Sequence, residues 1–296
     1  MNILDQLRAA IGGAFVLTTV ADTAKWAQDW TGAYTSTPIA VLRPKDTAEV
    51  AAIMGIAHAT KTPVVPVSGN TGVTGGACAK DALLLSLDRL DQIAQIDAQG
   101  RTATVGAGVI LADLHKAVET HGLIFPLTLG ARGSAMIGGV LATNAGGSNV
   151  LRYGNTRDLV MGIEVVMADG AIMNLMGALH KDNSGLNLKH LMIGAEGTLG
   201  IITAAVLKLS PAPGAYATAM VATPDLNCAL TLLHRAKTAT GDAVEAFEFM
   251  PRAHIDGHLA LDPQAKPPFE NSYDINILIE VGATAPRDAT PNPDGS

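Results

Sequence analysis

Residues 66–77 read P-V-S-G-N-T-G-V-T-G-G-A, and this stretch decides how the rest of the chain is interpreted. It follows a short apolar run at Val64 and Val65 and contains four glycines. Because glycine lacks Cβ and tolerates positive φ, successive backbone N–H groups can converge on one anion. Serine, asparagine and threonine side chains add donors, and no acidic side chain interrupts the stretch. The pattern predicts a strand that leads into a diphosphate-binding loop, with a tight surface turn as the alternative.

Composition excludes several classes of protein. The 296 residues carry a net charge of −7 with no basic stripe among aromatic residues, which argues against nucleic-acid binding. No run of eighteen apolar residues occurs, so we expect no transmembrane segment. The first thirty residues lack the pattern of a secretory signal. Cys78 and Cys228 lie far apart and are expected to be free and reduced, which suits a cytoplasmic protein.

The first third of the chain predicts alternating helices and strands. Residues 1–35 are expected to form a helix and a loop without chemistry. A short strand at residues 38–44 precedes a helix capped by Asp46 or Thr47. Residues 83–87 predict a buried strand, residues 93–97 and 102–105 a hairpin, and residues 111–121 a helix ended by Gly122.

A second glycine-rich region covers residues 126–147, P-L-T-L-G-A-R-G-S-A-M-I-G-G-V-L-A-T-N-A-G-G. Ser134 is a plausible N-cap for a short helix at residues 136–143. Gly138 and Gly139 inside that helix would each cost about 1 kcal/mol relative to alanine. A flat group lying against the helix would account for both glycines, and close packing on a sheet would account for them equally well.

The remaining third predicts a third glycine region and a second unit. Residues 159–168 and 172–175 predict a hairpin, residues 188–192 a short helix, and residues 201–209 a strand. After Pro213 we expect a helix capped by Asp225 and strands at residues 244–249 and 275–281. One helix and two strands cannot cover both faces of a sheet, so this second unit is expected to be incomplete. Residues 283–296 predict a disordered tail.

A nicotinamide-binding Rossmann unit is the main rival interpretation of the glycines. Its G-x-G-x-x-G should open a long helix directly after the first strand, with an acidic residue about twenty positions later. Here Gly69, Gly72 and Gly75 have the spacing G-x-x-G-x-x-G, and no long amphipathic helix follows them. No G-K-[ST] occurs, so a Walker-type phosphate loop is also excluded.

Four segments in order resemble the FAD-binding domain of the vanillyl-alcohol oxidase superfamily (PCMH type), and within it the D-lactate, glycolate and D-2-hydroxyglutarate dehydrogenase group. Residues 66–72 match the family's P-x-G-G-N-T-G, with Ser68 where its first glycine is usual. Residues 133–147, residues 152–154 (R-Y-G) and residues 182–203 match the other three motifs. The resemblance covers roughly residues 36–285.

The resemblance implies an α+β fold, in which two α/β subdomains form the FAD-binding domain at residues 36–213. A helical lead-in at residues 1–35 would precede it, and a partial substrate cap domain at residues 214–282 would follow. Members that attach FAD covalently place a histidine in the first loop, where this chain has Asn70, so we expect non-covalent FAD. The implied cofactor-binding residues are Pro66, Val67, Ser68, Gly69, Asn70, Thr71, Gly72, Gly133, Ser134, Ala135, Met136, Gly138, Thr143, Asn144, Ala145, Gly146, Glu196, Gly197, Gly200, Ile201 and Ile202.

The reaction implied by the resemblance is oxidation of a D-2-hydroxy acid to the 2-oxo acid, with hydride transfer to flavin N5 and a separate electron acceptor. Candidate substrates are D-2-hydroxyglutarate, D-lactate and glycolate, and a homodimer is the family-level expectation. The family's base, metal-binding histidines and carboxylate-binding arginine belong to segments that this sequence is expected to lack. No catalytic residue is therefore assigned. A non-catalytic FAD-binding fragment and a glycine-rich domain without flavin are the alternatives.

Local side chains offer few substitutes for that machinery. His254 and His258 have a spacing that can share a metal on a helix, but Gly257 weakens the helix and no third ligand is near, so we expect no metal site. Asp182, Asn183, His180 and His190 are expected to be turn and helix-end groups. Arg152 could contact a cofactor phosphate or form a structural ion pair.

Overall fold

A computed structural model describes residues 2–289 of the chain. The last seven positions of the predicted tail, residues 290–296, lie outside the described residues. The α-helices are α1 Ile3–Ile11, α2 Val20–Thr23, α3 Thr47–Thr60, α4 Leu111–Glu119, α5 Ile137–Ala142, α6 Val150–Tyr153, α7 Leu188–Met192, α8 Leu226–Thr240 and α9 Arg252–Leu261. The strands are β1 Val16–Leu17, β2 Ala40–Leu42, β3 Val64–Val67, β4 Leu83–Ser86, β5 Ile93–Asp97, β6 Thr102–Gly106, β7 Leu123–Ile124, β8 Val160–Val166, β9 Ile172–Leu175, β10 Ile201–Lys208, β11 Ser210–Pro211, β12 Ala215–Ala222, β13 Val244–Pro251 and β14 Ile275–Ala283.

The described residues form two compact units. Unit 1 contains residues 2–125, 129–145 and 155–210, and unit 2 contains residues 126–128, 146–154 and 211–289. Helices and strands are mixed in both units, so the predicted α+β class is confirmed. The predicted division into domains at residues 36, 214 and 283 stays a prediction.

Unit 1 contains a four-stranded sheet with the order β1-β2-β4-β3. Strands β2, β4 and β3 are parallel, and β1 pairs with β2 in the antiparallel sense. Parallel strands require a crossover connection, and α3 provides it from β2 to β3, which lie on opposite sides of β4. Asp46 caps α3 by accepting a hydrogen bond from the Glu49 N–H at 2.8 Å, as predicted. β4 is buried along its whole length because it lies inside the sheet.

The second sheet of unit 1 has five antiparallel strands in the order β5-β6-β10-β8-β9. Both predicted hairpins, β5-β6 and β8-β9, lie at its edges, and β10 pairs between them. Apolar side chains from both sheets and from the first helices share one core; its members include Leu7, Ile53, Leu85, Val166 and Ile201. This core fixes the sites at which the glycine-rich loops leave the strands.

The part of unit 2 that follows Pro213 differs from its prediction by a third strand and a second helix. Its sheet has the order β12-β14-β13, with β14 in the centre, so the expectation of only two strands is wrong. β12 is rich in alanine, a residue with low strand propensity, and its sequence alone gives a weak signal. Asp225 caps α8 as predicted, by accepting from the Cys228 N–H at 2.7 Å.

Two further observations concern the cysteines and the helices of the described residues. Cys78 and Cys228 are both free. No helix among residues 2–289 has both the length and the apolar character that crossing a membrane requires.

A candidate FAD-binding cleft

A cleft of about 300 Å³ lies within unit 1, beyond the end of β3. It is lined by residues of the first glycine loop, of the segment around α5, and of the segment that leads into β10. Among the cofactor-binding residues implied by the sequence, all but four line this cleft. The four exceptions are Gly133, Ser134, Asn144 and Gly146.

Missing side chains allow the three segments to approach one another. A Cβ on Gly69 would collide with the carbonyl oxygen of Ser134, and a Cβ on Gly197 would collide with the ring of Pro66. Gly69 therefore lets the first loop approach the segment before α5, and Gly197 lets the segment before β10 approach the first loop. Close approach, and not only loop flexibility, explains why both positions are glycine.

Backbone hydrogen bonds hold the second and third segments together. The N–H groups of Gly194 and Glu196 donate to the carbonyls of Leu141 and Ala142 at the end of α5, at 3.1 and 2.9 Å. At the start of α5, the Gly138 N–H donates to the Ala107 carbonyl at 2.7 Å. These bonds use up donors of the second and third segments, so those segments act as walls.

The first loop contrasts with those walls because its donors are free. Within the described residues, no backbone N–H of residues 69–76 donates a hydrogen bond to another backbone or side-chain group. Half of the loop residues, Gly69, Asn70, Thr71 and Gly75, are partly buried and the other half are exposed, and every residue of the loop except Val73 lines the cleft. Buried or half-buried donors of this kind normally find a partner in a protein, in water or in a ligand.

The charge of the cleft comes from two carboxylates. Asp29 and Glu196 are the ionisable side chains among the described residues that line it. Since no arginine or lysine is part of that lining, an anion bound here would depend on backbone N–H groups for its stabilisation. Free donors in a loop without a cationic side chain fit a diphosphate held by the backbone.

The other lining residues are small or apolar. Flat aromatic rings bind well against such walls, because apolar surface is removed from water without leaving polar groups unpaired. Outside the first loop, the lining residues of this kind that the sequence did not assign to the cofactor site are Leu87, Leu129, Gly139, Val140, Ala142 and Met192. Together with the free donors, these walls fit the two kinds of chemistry in a flavin dinucleotide.

Three residues other than glycine have left-handed backbone conformations next to the cleft. Asn70 has φ 50°, Asn144 has φ 47° and Glu196 has φ 51°. The two asparagines are held by hydrogen bonds: Asn70 Nδ2 donates to the Gln28 carbonyl, and Asn144 Oδ1 accepts from the Arg157 N–H, both at 2.9 Å. Such conformations persist where surrounding contacts over-determine them, which is common at binding sites.

Ser68, the departure from the family motif, packs against α5. A Cβ on Gly139 would lie 3.2 Å from the Ser68 Cβ, and a Cβ on Gly138 would lie 3.1 Å from the Ser68 Oγ. The two glycines in the helix therefore leave room for this larger side chain. Close packing accounts for the paired glycines without a ligand against the helix, so that alternative is supported.

Ser134 does not cap α5. The N-cap position belongs to Met136, which makes no side-chain capping bond, and Ser134 is exposed with its Oγ donating to the Ala131 carbonyl. The helix begins one residue later than predicted because Met136 is extended and forms a backbone bridge with Ile110, a partner distant in sequence.

Arg152 belongs to unit 2 and forms a structural ion pair. Its Nη1 lies 2.7 Å from Glu245 Oε1 and also donates to the Gly282 carbonyl at 2.6 Å. The Tyr153 hydroxyl and Asn149 Nδ2 donate to the same carboxylate, each at 3.0 Å. Burial and the nearby Glu245 charge raise the pKa of Tyr153 well above its usual range. Of the two roles considered for Arg152, the structure supports the ion pair.

The remaining sequence candidates are local groups. Asp182 accepts from the hydroxyl and the N–H of Ser184, and these bonds lower the pKa of its carboxyl. Burial and the adjacent Lys189 lower the pKa of His190. His254 and His258 lie on α9, of which no residue is buried. No group of three potential metal ligands occurs among residues 2–289.

Sequence reasoning missed Asp29 altogether. This residue lines the cleft although it lies 37 positions before the loop, in a region expected to have no chemistry. No local motif identifies it, since only folding brings residue 29 next to residue 70. By contrast, Thr74, Gly75, Gly76 and Ala77 also line the cleft and could have been included, since they belong to the same quoted loop.

Comparison with known proteins agrees with this geometry. Residues 38–176 match the family described as "FAD binding domain". This segment of the chain is therefore similar to known FAD-binding domains, and the prediction of FAD as the cofactor is confirmed at the level of that similarity.

Solved structures show the same fold. Alkyldihydroxyacetonephosphate synthase, in two crystal forms, superposes with a TM-score of 0.79 over 95% of this chain. The sequence identity is 18% and 19%, and the match covers 55% and 56% of those chains. Identity at that level supports the fold alone.

Relatives with higher identity have names that refer to one substrate, D-2-hydroxyglutarate. D-2-hydroxyglutarate dehydrogenase of Xanthomonas citri pv. viticola is 38% identical over 94% of this chain and 58% of the relative. The mitochondrial enzyme of Bos taurus is 38% identical over 87% and 47%, respectively. D-2-hydroxyglutarate–pyruvate transhydrogenase of Saccharomyces cerevisiae is 35% identical over 90% and 54%. The chain thus spans about half the length of these relatives.

Proposed function

We propose that the cleft binds FAD non-covalently, with the cofactor diphosphate held by the N–H groups of the first glycine loop. The observation that carries this proposal is the set of free donors at residues 69–76. The other cofactor-binding residues implied by the sequence would supply the walls, from Ala135 to Ala145 and from Glu196 to Ile202. Asn70 at the position used by covalent members supports a dissociable cofactor.

Binding and its mode can be tested together. Purified protein reconstituted with FAD is expected to retain flavin absorbance after desalting and to release all of it on denaturation. Mass spectrometry of the denatured chain should then give the mass of the polypeptide alone. A flavin adduct would contradict non-covalent binding, and a colourless reconstituted protein would contradict the cofactor site and favour a glycine-rich domain without flavin.

The reaction we propose is oxidation of a D-2-hydroxy acid to the 2-oxo acid. The names of the relatives favour D-2-hydroxyglutarate over D-lactate or glycolate as the substrate. Two electrons leave the substrate, so a separate acceptor must reoxidise the protein, as the resemblance implies. Bound flavin supplies the hydride acceptor at N5.

The contribution of this chain's own residues is binding and orientation. Free N–H groups of the first loop stabilise an anion by hydrogen bonds without mobile side chains, so little side-chain conformational entropy is lost on binding. Apolar walls at Val140, Met192 and Ile201 exclude water from the cleft and favour one orientation of a flat ring. Since the ionisable residues of the lining are Asp29 and Glu196, we assign no catalytic base.

Substrate bleaching distinguishes an active protein from a binding fragment. Under anaerobic conditions, the flavin absorbance of the reconstituted chain should fall on addition of D-2-hydroxyglutarate and stay unchanged with the L-enantiomer. D-lactate and glycolate serve as the competing substrates. A yellow protein inert to all three would favour the second candidate, FAD binding without turnover. The lining of the cleft, in which no catalytic base is assigned among the described residues, is the observation that favours this candidate.

Location and assembly are further parts of the proposal. Two free cysteines support a reducing compartment such as the cytoplasm, although relatives from Bos taurus and other eukaryotes are named as mitochondrial. A homodimer is proposed from the family resemblance, and sedimentation of the reconstituted protein at several concentrations tests it.

A further inference from the structure

Residues 28–35 form a turn that the glycine-based motifs do not include. A backbone bridge joins Gln28 to Thr35, and the Asp29 N–H donates to the Tyr34 carbonyl at 3.0 Å. The preceding Trp26 is only 6% exposed and packs in one core cluster with Val67. Its anchorage in the core explains why the turn has a defined place in unit 1.

The 28–35 turn contacts the first glycine loop at two points. The Gln28 carbonyl accepts the hydrogen bond from Asn70 Nδ2, which holds Asn70 in its left-handed conformation. The Tyr34 ring lies against Gly75, where a Cβ would approach ring atoms to 2.7 Å. Gly75 also has φ 73°, so both backbone conformation and space require glycine there. The turn and the loop are therefore fitted to each other.

Asp29 is the residue of this turn that lines the cleft. Its side chain belongs to a residue that is 5% exposed. The carboxylate accepts from the Thr31 hydroxyl, at 2.9 and 2.8 Å to its two oxygens, and from the Tyr34 N–H at 3.3 Å. An ionised carboxylate offers about four acceptor positions, so two donors leave part of its capacity unused.

The chemistry of a carboxylate limits what Asp29 can face in a nucleotide. A phosphate would be repelled by it, since like charges in a partly buried site disfavour each other. A hydroxyl group can donate to it, and a hydrogen bond to an ionised acceptor is roughly twice as strong as one between neutral groups. In a flavin dinucleotide, hydroxyl donors occur on the ribityl chain and on the ribose.

We propose that Asp29 accepts a hydrogen bond from a sugar-type hydroxyl of the bound cofactor, so that the 28–35 turn forms one side of the FAD site. This inference rests on the proposed binding of FAD in the cleft. It makes Asp29 a determinant of cofactor affinity, in addition to the loop that binds the diphosphate. A purely structural Asp29 would instead hold the turn through Thr31 and Tyr34.

Two variants of the full chain separate these roles. Asp29→Asn keeps the shape of the side chain and removes its charge, whereas Thr31→Val removes a donor to Asp29 from a residue outside the cleft lining. FAD affinity is measured by quenching of flavin fluorescence. We expect Asp29→Asn to weaken FAD binding about tenfold and Thr31→Val to weaken it less than about twofold. Equal effects of the two variants, or no effect of Asp29→Asn, would overturn the inference.

Fragments of the cofactor identify which hydroxyl is involved. FMN carries only the ribityl hydroxyls and ADP only those of the ribose, so each is tested as a competitor of FAD. If Asp29→Asn weakens FMN but not ADP, the partner lies on the ribityl chain, and the reverse result places it on the ribose. Unchanged affinity for all three compounds contradicts a contact of either kind.

A measurement on the unaltered protein tests the same inference if the variants do not fold. Hydrogen exchange of the amides in the 28–35 turn should slow on addition of FAD, together with those of residues 69–76. Protection of the loop without protection of the turn would overturn the role of the turn and leave the cofactor site intact. Failure of the unaltered protein to bind FAD would overturn the cofactor site, and this inference with it.

Discussion

The first glycine loop and helix α5 are both rich in glycine, yet they use it in opposite ways. In the loop, the N–H groups of residues 69–76 form no hydrogen bond within the described chain. At α5, the N–H groups of Ile137 and Gly138 are bonded to carbonyls of a neighbouring segment, and the glycines make room for Ser68. A glycine-rich sequence therefore does not define a ligand site by itself. A glycine-rich segment can bind a ligand through its backbone only where its N–H groups have no partner within the protein.

The largest expected effect comes from Arg152, the cation of the R-Y-G motif, and its removal tests whether FAD binding depends on this side chain. Arg152→Met leaves the Glu245 carboxylate, which is 1% exposed, without its ionic partner. Breaking such a buried pair should lower the free energy of unfolding by about 3 kcal/mol. Chemical denaturation measures this loss, and FAD affinity of the remaining folded protein should stay within about twofold.

The matched control for Arg152 is Arg252, which pairs with Asp256 on the surface of α9. Both side chains of this pair are more than half exposed, so Arg252→Met should change stability by less than about 0.5 kcal/mol. A large loss of FAD affinity in folded Arg152→Met would contradict an anion site built from backbone donors alone.

The next effect compares two glycines within the first loop. Gly69→Ala places a Cβ against the carbonyl of Ser134, whereas a Cβ on Gly72 has no heavy atom within 4 Å. We expect Gly69→Ala to lower stability by about 2 kcal/mol and to abolish FAD binding, since one wall of the cleft must move. Gly72→Ala should leave the stability of the cofactor-free protein unchanged within about 0.5 kcal/mol. Equal denaturation midpoints for the two variants would refute this distinction.

A smaller effect compares two glycines inside helices. A Cβ on Gly138 would lie 2.8 Å from the Ala107 Cβ, and one on Gly257 in α9 would meet nothing within 4 Å. Gly257→Ala should stabilise the protein by about 1 kcal/mol through helix propensity. Gly138→Ala should destabilise it by about 1 kcal/mol, because overpacking exceeds that gain. Thermal unfolding of both variants measures the signs, and stabilisation by Gly138→Ala would show that α5 is not tightly packed.

The smallest effect concerns helix α8, at whose start the Asp225 side chain accepts a hydrogen bond from a backbone N–H that has no partner inside the helix. The Cys228 N–H bonded to Asp225 lowers the pKa of that carboxyl in the folded state. The Asp225 cap therefore stabilises the folded protein at pH values above the pKa of Asp225 in the unfolded chain. This stabilisation is lost as the pH falls through the lower pKa that Asp225 has in the folded state. Asp225→Asn keeps a capping oxygen but does not titrate. Its melting temperature should fall less than that of the unaltered protein below pH 4; parallel curves would exclude this cap as the cause.

Local patterns predicted much of unit 1 and less of unit 2. The Asp46 and Asp225 caps and both edge hairpins follow from spacing and turn residues within a few positions, and the structure confirms them. β12 was missed because its alanines carry little strand preference, and pairing with β14, about sixty residues later, determines it. In α8, the side chains of Leu226 and Leu230 are more than half exposed, whereas Ala229 is buried.

The candidate site likewise contains parts that the sequence predicts and parts that it does not. The segments that line the cleft could be predicted because each carries its own glycine motif. Asp29 could not, because its proximity to Asn70 depends on Trp26 entering the core and on the bridge between Gln28 and Thr35. The prediction of a Ser134 cap was wrong for a related reason, since a bridge to the distant Ile110 keeps Met136 extended and α5 begins after it.

Free main-chain donors have a consequence for mutagenesis. Truncating Thr71 or Thr74 to alanine leaves every main-chain amide of the loop in place, so an alanine scan of these positions would show little effect at the centre of the site. Proline is the natural residue that deletes such a donor outright. Sites of this kind are therefore tolerant of changes in side-chain identity and sensitive to changes in the path of the main chain.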